Sequence, residues 1–195
     1  MAGIILSGGK SSRMEGANKP LMKLGNKTMI QHLIDKLSIL FKDVIVATKQ
    51  PELYSDYDVQ LAIDEFEHQG PLSGIHAALK VSEDQYNFIV ACDMPLLNLD
   101  LVRYMLKQPV VDVLVPKIDG KLEPLHTIYS QSCVPKIEKA IAKGKFKIID
   151  FWDQIDVKYI EEEKIRSIDP QLNSFFNVNN RQDYQQALDL LTENE

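Results

Sequence analysis

Residues 7–19, SGGKSSRMEGANK, gather two consecutive glycines and three cations, Lys10, Arg13 and Lys19, directly after the apolar run 3–6. Gly8 and Gly9 let backbone N–H groups approach an oxygen-rich ligand closely, and the cations add charge beside them. That is phosphate-holding chemistry. A Gly-Gly pair after a strand is on its own only a turn signal, and it is the neighbouring basic residues that weigh against so bland a reading. Spacing excludes two better-known cradles. A Walker loop needs glycine where Ile4 stands, five positions before Gly9, and the G-x-G-x-x-G fingerprint is absent. The loop is a third type, longer than either, with a lysine at its far end.

Two carboxylates stand at comparable places. Asp64 ends the apolar run 59–63, and Asp93 follows the run 87–91 and Cys92, just before Met94-Pro95 turns the chain aside. A carboxylate at Asp93 suits Mg²⁺, a hard cation commonly held by one or two carboxylates plus substrate phosphates. Capping of the following helix is the rival reading for Asp93. The four histidines, His32, His68, His76 and His126, show no ligand spacing and read as structural or surface residues. His126 is the exception to watch, because it lies within EPLHTIY, 123–129, which reads as a strand. Cys92 and Cys133 form no C-x-x-C pair and read as buried small hydrophobes.

The elements that must position these residues follow from periodicity. Thr28 and Gln31 form a capping-box pattern ahead of Met29, Ile30, Leu33, Ile34, Leu37, Leu40 and Phe41 at helical spacing. Strands are expected at 44–47, 59–63 and 87–91, with a loop and helix at 70–80 opened by Pro71. Strand and helix thus alternate over the first hundred residues, which implies a parallel sheet with helices on both faces. Ligands of such sheets bind beyond the strand C-terminal ends, where Ser7, Asp64 and Asp93 would meet. A helix at 101–107 precedes a strand at 110–115, an Asp119-Gly120 turn and a strand at 122–129, giving one antiparallel neighbour. Residues 134–143 read as a helix closed by Gly144, whereas 146–163 shows no clear element and its three glutamates read as a solvated face. FFNVNN, 175–180, leads into a last helix carrying Tyr184, Ala187, Leu188 and Leu191. The expectation is a Rossmann-like three-layer α/β sandwich forming one domain over 1–195, its sheet mostly parallel with one antiparallel strand.

Composition narrows the partners. The 195 residues are 45% hydrophobic and carry a net charge of -6, which argues against nucleic acid as the main partner. Residues 1–27 carry a local +4, leaving -10 for the rest. A focused positive site on an acidic body suits a small polyanion. No apolar run approaches the ~20 residues that cross a bilayer, so a soluble, cytoplasmic protein without a membrane partner is expected.

Together, LSGGKSSRMEGANK, GPLSG (70–74), CDMPLL (92–97) and Asn177-Val178-Asn179 resemble the molybdenum cofactor guanylyltransferases, the MobA proteins of the nucleotidyltransferase fold. The resemblance spans most of the chain and implies transfer of GMP from GTP to molybdopterin, with release of pyrophosphate. It implies catalytic roles for Arg13, Lys19 and Asp93, with Asp93 holding Mg²⁺. Nucleotide contacts would come from Leu6, Ser7, Gly8, Gly9, Lys19, Asp64, Gly70, Pro71, Leu72 and Asp93. Asn177 and Asn179 alternate around Val178, so an extended segment would turn both toward the acceptor. Asn180 reads instead as a helix cap. Transient contact with proteins of cofactor synthesis or molybdoenzyme maturation is also implied. Four departures stand out: Ser7 for alanine, Glu15 for glycine, Ala47 for asparagine, and Asn180-Arg181 for Thr-Pro. A cytidylyl or sugar-1-phosphate nucleotidyltransferase, or a catalytically silent nucleotide-binding partner in cofactor insertion, remains the alternative.

Overall fold

A computed structural model describes residues 1–8, 18–64, 66, 70–109 and 111–192. Gly9, Lys10, Arg13, Glu15 and His68 lie outside the described residues. The strands are β1 (Ala2–Ser7), β2 (Lys23–Leu24), β3 (Lys27–Thr28), β4 (Val44–Thr48), β5 (Gln60–Ile63), β6 (Tyr86–Ala91), β7 (Val113–Ile118), β8 (Lys121–Leu122), β9 (His126–Ser130) and β10 (Val157–Glu161). The α-helices are α1 (Met29–Ser38), α2 (Pro71–Val81), α3 (Leu99–Leu106), α4 (Val134–Ala142), α5 (Glu162–Arg166) and α6 (Arg181–Thr192).

Among the described residues the main sheet runs β10-β7-β9-β6-β1-β4-β5, with β8 paired to β7. Strands β6, β1, β4 and β5 are mutually parallel. β9 runs antiparallel to both β6 and β7, and β10 is parallel to β7. Apart from the short β8 arm, β9 is therefore the one reversed strand, and the α/β sandwich with a mostly parallel sheet stands as expected.

Alternate residues of β1 serve opposite layers, as strand geometry requires. Ile5 packs with Ile30, Leu33 and Leu37 of α1, whereas Ile4 and Leu6 pack with Leu72, Ile75 and Leu79 of α2. Gly3 is needed for the first of these contacts: a Cβ there would lie 2.8 Å from the Phe41 ring. A third, smaller cluster joins Leu24 and Met29 to Leu96, Val178 and Ala187, tying the C-terminal segment to the N-terminal half.

Three expectations shift. β7 begins three residues later than its apolar run and continues through Pro116. This proline falls between the β9 pairing at Val113 and Leu114 and the β8 pairing at Lys117 and Ile118, where no antiparallel partner needs its missing N–H. β10 and α5 occupy the segment that showed no clear element. β10 is an edge strand burying only Ile160 deeply, so its alternation is faint. Cys92 is half-buried at the end of β6, while Cys133 is buried as expected.

Local capping follows the side-chain chemistry. Thr28 Oγ1 accepts the Gln31 N–H, but the Gln31 side chain turns forward to Asp35 rather than back to complete a box. Asn98, not Asp93, caps α3 by accepting from the Asp100 and Leu101 N–H groups, which removes the rival reading of Asp93. Asn180 caps α6 as expected, accepting from Gln182 and Asp183 N–H, while Asp183 returns the favour to the N–H groups of Asn179 and Asn180.

Candidate functional site

Register places the candidate residues in one row. Leu6 of β1 faces Ala91 of β6, Ser7 faces Thr48 of β4, and Thr48 faces Ile63 of β5. One step past these ends come Gly8, Lys49 and Asp64, with Asp93 two residues beyond Ala91. Strand spacing of ~4.8 Å sets Asp93 and Asp64 about 14 Å apart along that crevice.

At the β6 end, three distant segments meet on one ammonium group. Lys19 Nζ donates to Asp93 Oδ2 at 2.9 Å and to Asn179 Oδ1 at 2.9 Å. The Lys19 and Asp93 side chains are 16% and 25% exposed, so the pair is sheltered yet open to a ligand. Lys19 opens a 3-10 turn with Pro20, while the Val178 N–H donates to the Asp93 carbonyl and clamps the Asn177–Asn179 stretch onto β6. Asn177 diverges from Asn179: its side-chain amide donates back to the Phe175 carbonyl. Lys19, Asp93 and Asn179 are thus brought together, and Asn177 lies beside them on its own local bond.

At the β5 end, Asp64 is held by its neighbours. Ser73 Oγ donates to Oδ2 at 2.7 Å, the Phe66 N–H donates to Oδ1 at 3.1 Å, and Lys49 Nζ stands 3.6 Å from Oδ2. Gly70 and Pro71 border an open, mostly apolar hollow of about 670 Å³ shared with Pro124, Phe146 and Ile149. Leu72 is buried in the core, which leaves only its backbone for a ligand. In β1, Leu6 is also buried, and the Ser7 hydroxyl is 2.5 Å from the Tyr54 hydroxyl. The serine that departs from the usual alanine therefore has a buried partner. Gly8 is exposed, and among the described residues a Cβ there would meet nothing within 4 Å. Ala47 points into the core beside Leu6 and Leu72.

Ser73, Tyr54 and Lys49 escaped the sequence reading. Ser73 sits inside GPLSG and needed only a question about what would orient Asp64. Lys49 follows its strand just as Gly8 and Asp64 follow theirs, so the same strand-end rule points to it. Tyr54 lies in a short 3-10 turn, Pro51–Tyr54, with no comparable signal.

Nucleophiles and bases are scarce. Burial, helped by the Asp93 charge, pushes the Cys92 thiol up to about 12, and burial alone pushes His126 down to about 3. Both stay neutral near pH 7. His126 is enclosed between Phe88 and Phe175, with ring centroids 5.1 and 4.7 Å away, and neither ring nitrogen has a hydrogen-bond partner among the described residues. Its place is under the site, not in it. His32 bonds the Leu24 carbonyl and His76 meets Glu138.

Among the described residues no group of three His, Cys, Asp or Glu side chains could hold a metal by itself. Asp93 alone fits one kind of cation site, that in which substrate phosphates complete the shell, as is usual for Mg²⁺. No described helix is long and apolar enough to cross a membrane.

A family model described as the MobA-like NTP transferase domain matches residues 3–156. The molybdenum cofactor guanylyltransferase of Desulfosudis oleivorans is 34% identical over 189 residues, covering 96% of this chain and 94% of that one. The probable molybdenum cofactor guanylyltransferase of Pelotomaculum thermopropionicum is 38% identical over 186 residues, with 95% and 90% covered. The crystal structure of molybdopterin-guanine dinucleotide biosynthesis protein A from Archaeoglobus fulgidus is similar at a TM-score of 0.85 and 29% identity, over 99% of this chain and 100% of that one.

Proposed function

The chain belongs to the MobA-like NTP transferase family, and from that premise we propose that it transfers GMP from GTP to molybdopterin, releasing pyrophosphate. The observation that carries this reading is the junction on Lys19 Nζ, which joins the end of the phosphate loop to Asp93 and to Asn179. A nucleotide phosphate, a metal carboxylate and an acceptor-side amide have to converge for such a transfer.

The acceptor is a phosphate monoester whose second pKa is about 6, so its oxygen is already anionic at neutral pH and needs no protein base. That suits a crevice beside which Cys92 and His126 both stay neutral. The acceptor oxygen forms a bond to the α-phosphorus of GTP while the bond to pyrophosphate breaks. Lys19 donates to the phosphoryl oxygens as charge builds, exchanging its present carboxylate and amide partners for them. Arg13 and the N–H groups at Gly8 and Gly9 would add to that stabilisation. Mg²⁺ held by Asp93 together with the nucleotide phosphates would neutralise further charge. Asp64, fixed by Ser73, accepts from guanine N–H groups. Asn179, with Asn177 beside it, receives the acceptor. Leu6, Ser7 and the α2 start at Gly70, Pro71 and Leu72 contribute backbone.

The test is to incubate the protein with each NTP in turn, Mg²⁺ and molybdopterin, and to measure pyrophosphate release. Release with GTP only, and only when acceptor and Mg²⁺ are present, is expected. Preferential release with CTP would move the chain to cytidylyl transfer, and binding of GTP without release would make it a silent partner.

A further inference from the structure

Lys49 belongs to none of the motifs above, yet it stands in the row between Gly8 and Asp64, one residue past β4. Its Nζ donates to the Phe66 carbonyl at 2.6 Å and lies 3.6 Å from Asp64 Oδ2. The Asp64 carboxylate does not depend on it. Ser73 Oγ and the Phe66 N–H hold both carboxylate oxygens at hydrogen-bond distance. The Lys49 contact is longer than the ~2.7–2.9 Å of a charged hydrogen bond, and the side chain is 39% exposed. A fixed anionic acceptor and a cationic donor, itself anchored on the Phe66 carbonyl and only loosely engaged with Asp64, therefore stand side by side at the base end of the crevice, two strands away from the Lys19–Asp93 pair.

That order is complementary to the Watson–Crick edge of guanine; uracil, with O4 beside N3–H, matches only its first two groups and lacks the amino donor. Guanine presents an O6 acceptor next to N1–H and N2 amino donors, whereas adenine and cytosine put an amino donor where O6 would be and a ring acceptor beside it. Against a lysine and a carboxylate, guanine finds two matches. Adenine and cytosine find donor facing donor and acceptor facing acceptor, which penalises them beyond the loss of a contact.

Building on the guanylyl reading above, we propose that Lys49 is a base-selecting residue: its ammonium donates to guanine O6 while Asp64 accepts from N1–H and the N2 amino group. The lysine turns from Asp64 by a small rotation about its long stem, giving O6 one of the three ammonium N–H groups while another can stay on the Phe66 carbonyl, and the carboxylate stays where Ser73 and Phe66 hold it. Selection for guanine then comes from two side chains on neighbouring strands, beside the space that Gly8 leaves open.

Calorimetric titration of the full chain in Mg²⁺ at pH 7 tests this with GTP, 6-thio-GTP, ITP and dGTP, in wild type, Lys49→Met and Lys49→Arg. The sulfur analogue loses the O6 acceptor but keeps N1–H and the N2 amino group; ITP loses only the amino group. Wild type should favour GTP over 6-thio-GTP by on the order of tenfold, as one good base contact is worth. Lys49→Met should bring that ratio below about threefold and leave GTP/ITP unchanged, while Lys49→Arg should retain it. An unchanged GTP/6-thio-GTP ratio in Lys49→Met overturns the proposal. So does a parallel fall in GTP/ITP, which would make Lys49 a prop for Asp64, or a shift in GTP/dGTP alone, which would seat it on the ribose. Thermal melting checks that each variant folds, and Lys49→Gln repeats the comparison if the methionine variant does not. If wild type fails to prefer GTP over CTP and ATP, the guanylyl reading itself falls, an outcome distinct from loss of the lysine's role alone.

Discussion

The C-terminal stretch around residues 175–179 rests on two places of opposite character. At Phe175 it covers His126, a fully buried ring whose two nitrogens have no partner among the described residues and which burial holds neutral. Four residues later, at Asn179, it meets Lys19 and Asp93, which are charged, paired with each other and partly open to solvent. Both places contain polar groups that a sequence reader marks as chemical. The difference teaches which of them can act: a group that is paired, charged and reachable can exchange its partner for a ligand, whereas an enclosed orphan can only cost stability. Substitutions at the crevice should therefore change turnover and not melting, and substitutions at the pocket should do the reverse.

The largest effect is expected for Asp93→Asn, which removes the charge but keeps the shape. Turnover at saturating Mg²⁺ should fall by about a thousandfold or more, with an unchanged melting curve. Near-normal activity would end the metal-holding role. Lys19→Ala should lower kcat by about 10²- to 10³-fold, the effect of one well-placed donor. A loss under about tenfold would reduce Lys19 to general electrostatics.

His126 supplies the opposite arm of the comparison. Its pKa falls from the usual ~6.5 to about 3 on folding, so below pH 6.5 the unfolded chain binds a proton that the folded chain does not. Stability is then full above about pH 6.5 and declines as pH drops toward 3, by up to ~1.4 kcal/mol per pH unit. His126→Leu should flatten this slope in denaturant titrations at pH 4 to 7, with turnover at pH 7 kept within about twofold. A slope equal to wild type would show that the ring is not held neutral.

Two smaller effects sharpen the crevice itself. Asn179→Ala, which removes one amide from Lys19, should raise the acceptor KM by about tenfold or less, as one net hydrogen bond allows. If GTP affinity drops instead, Asn179 serves the nucleotide. Gly8→Ala should leave the melting curve unchanged, since its methyl group meets no atom of the described residues, and should weaken GTP a few-fold more than CTP by crowding the purine. Equal weakening in calorimetry would remove Gly8 from base choice.

How much of this could be read beforehand depended on what encodes each part. The β1, α1, β4, β5, α2 and β6 succession was legible because the strands are short, mostly apolar runs and α1 has one apolar face, so strand ends, and with them Asp64 and Asp93, fell where expected. The β7 to α5 stretch was less so. Pro116 hides the middle of β7, and edge strand β10 buries too little to alternate clearly. At the site, motif residues announced Lys19 and Asp93 separately, but no local pattern encodes the bond from Lys19 to Asn179, which joins positions 160 residues apart. Ser73 became visible only once Asp64 had neighbours, whereas the strand-end rule already pointed to Lys49.

The central claim is that Lys19 and Asp93 act as one unit in the transfer. A double-mutant cycle on kcat/KM for pyrophosphate release from GTP and molybdopterin tests it most directly, comparing wild type, Lys19→Ala, Asp93→Asn and the double variant. Groups that act together lose most of their effect in the first substitution, so the double variant should be scarcely slower than the worse single one. Multiplicative losses would contradict the account, by showing that the 2.9 Å contact joins two residues with independent roles.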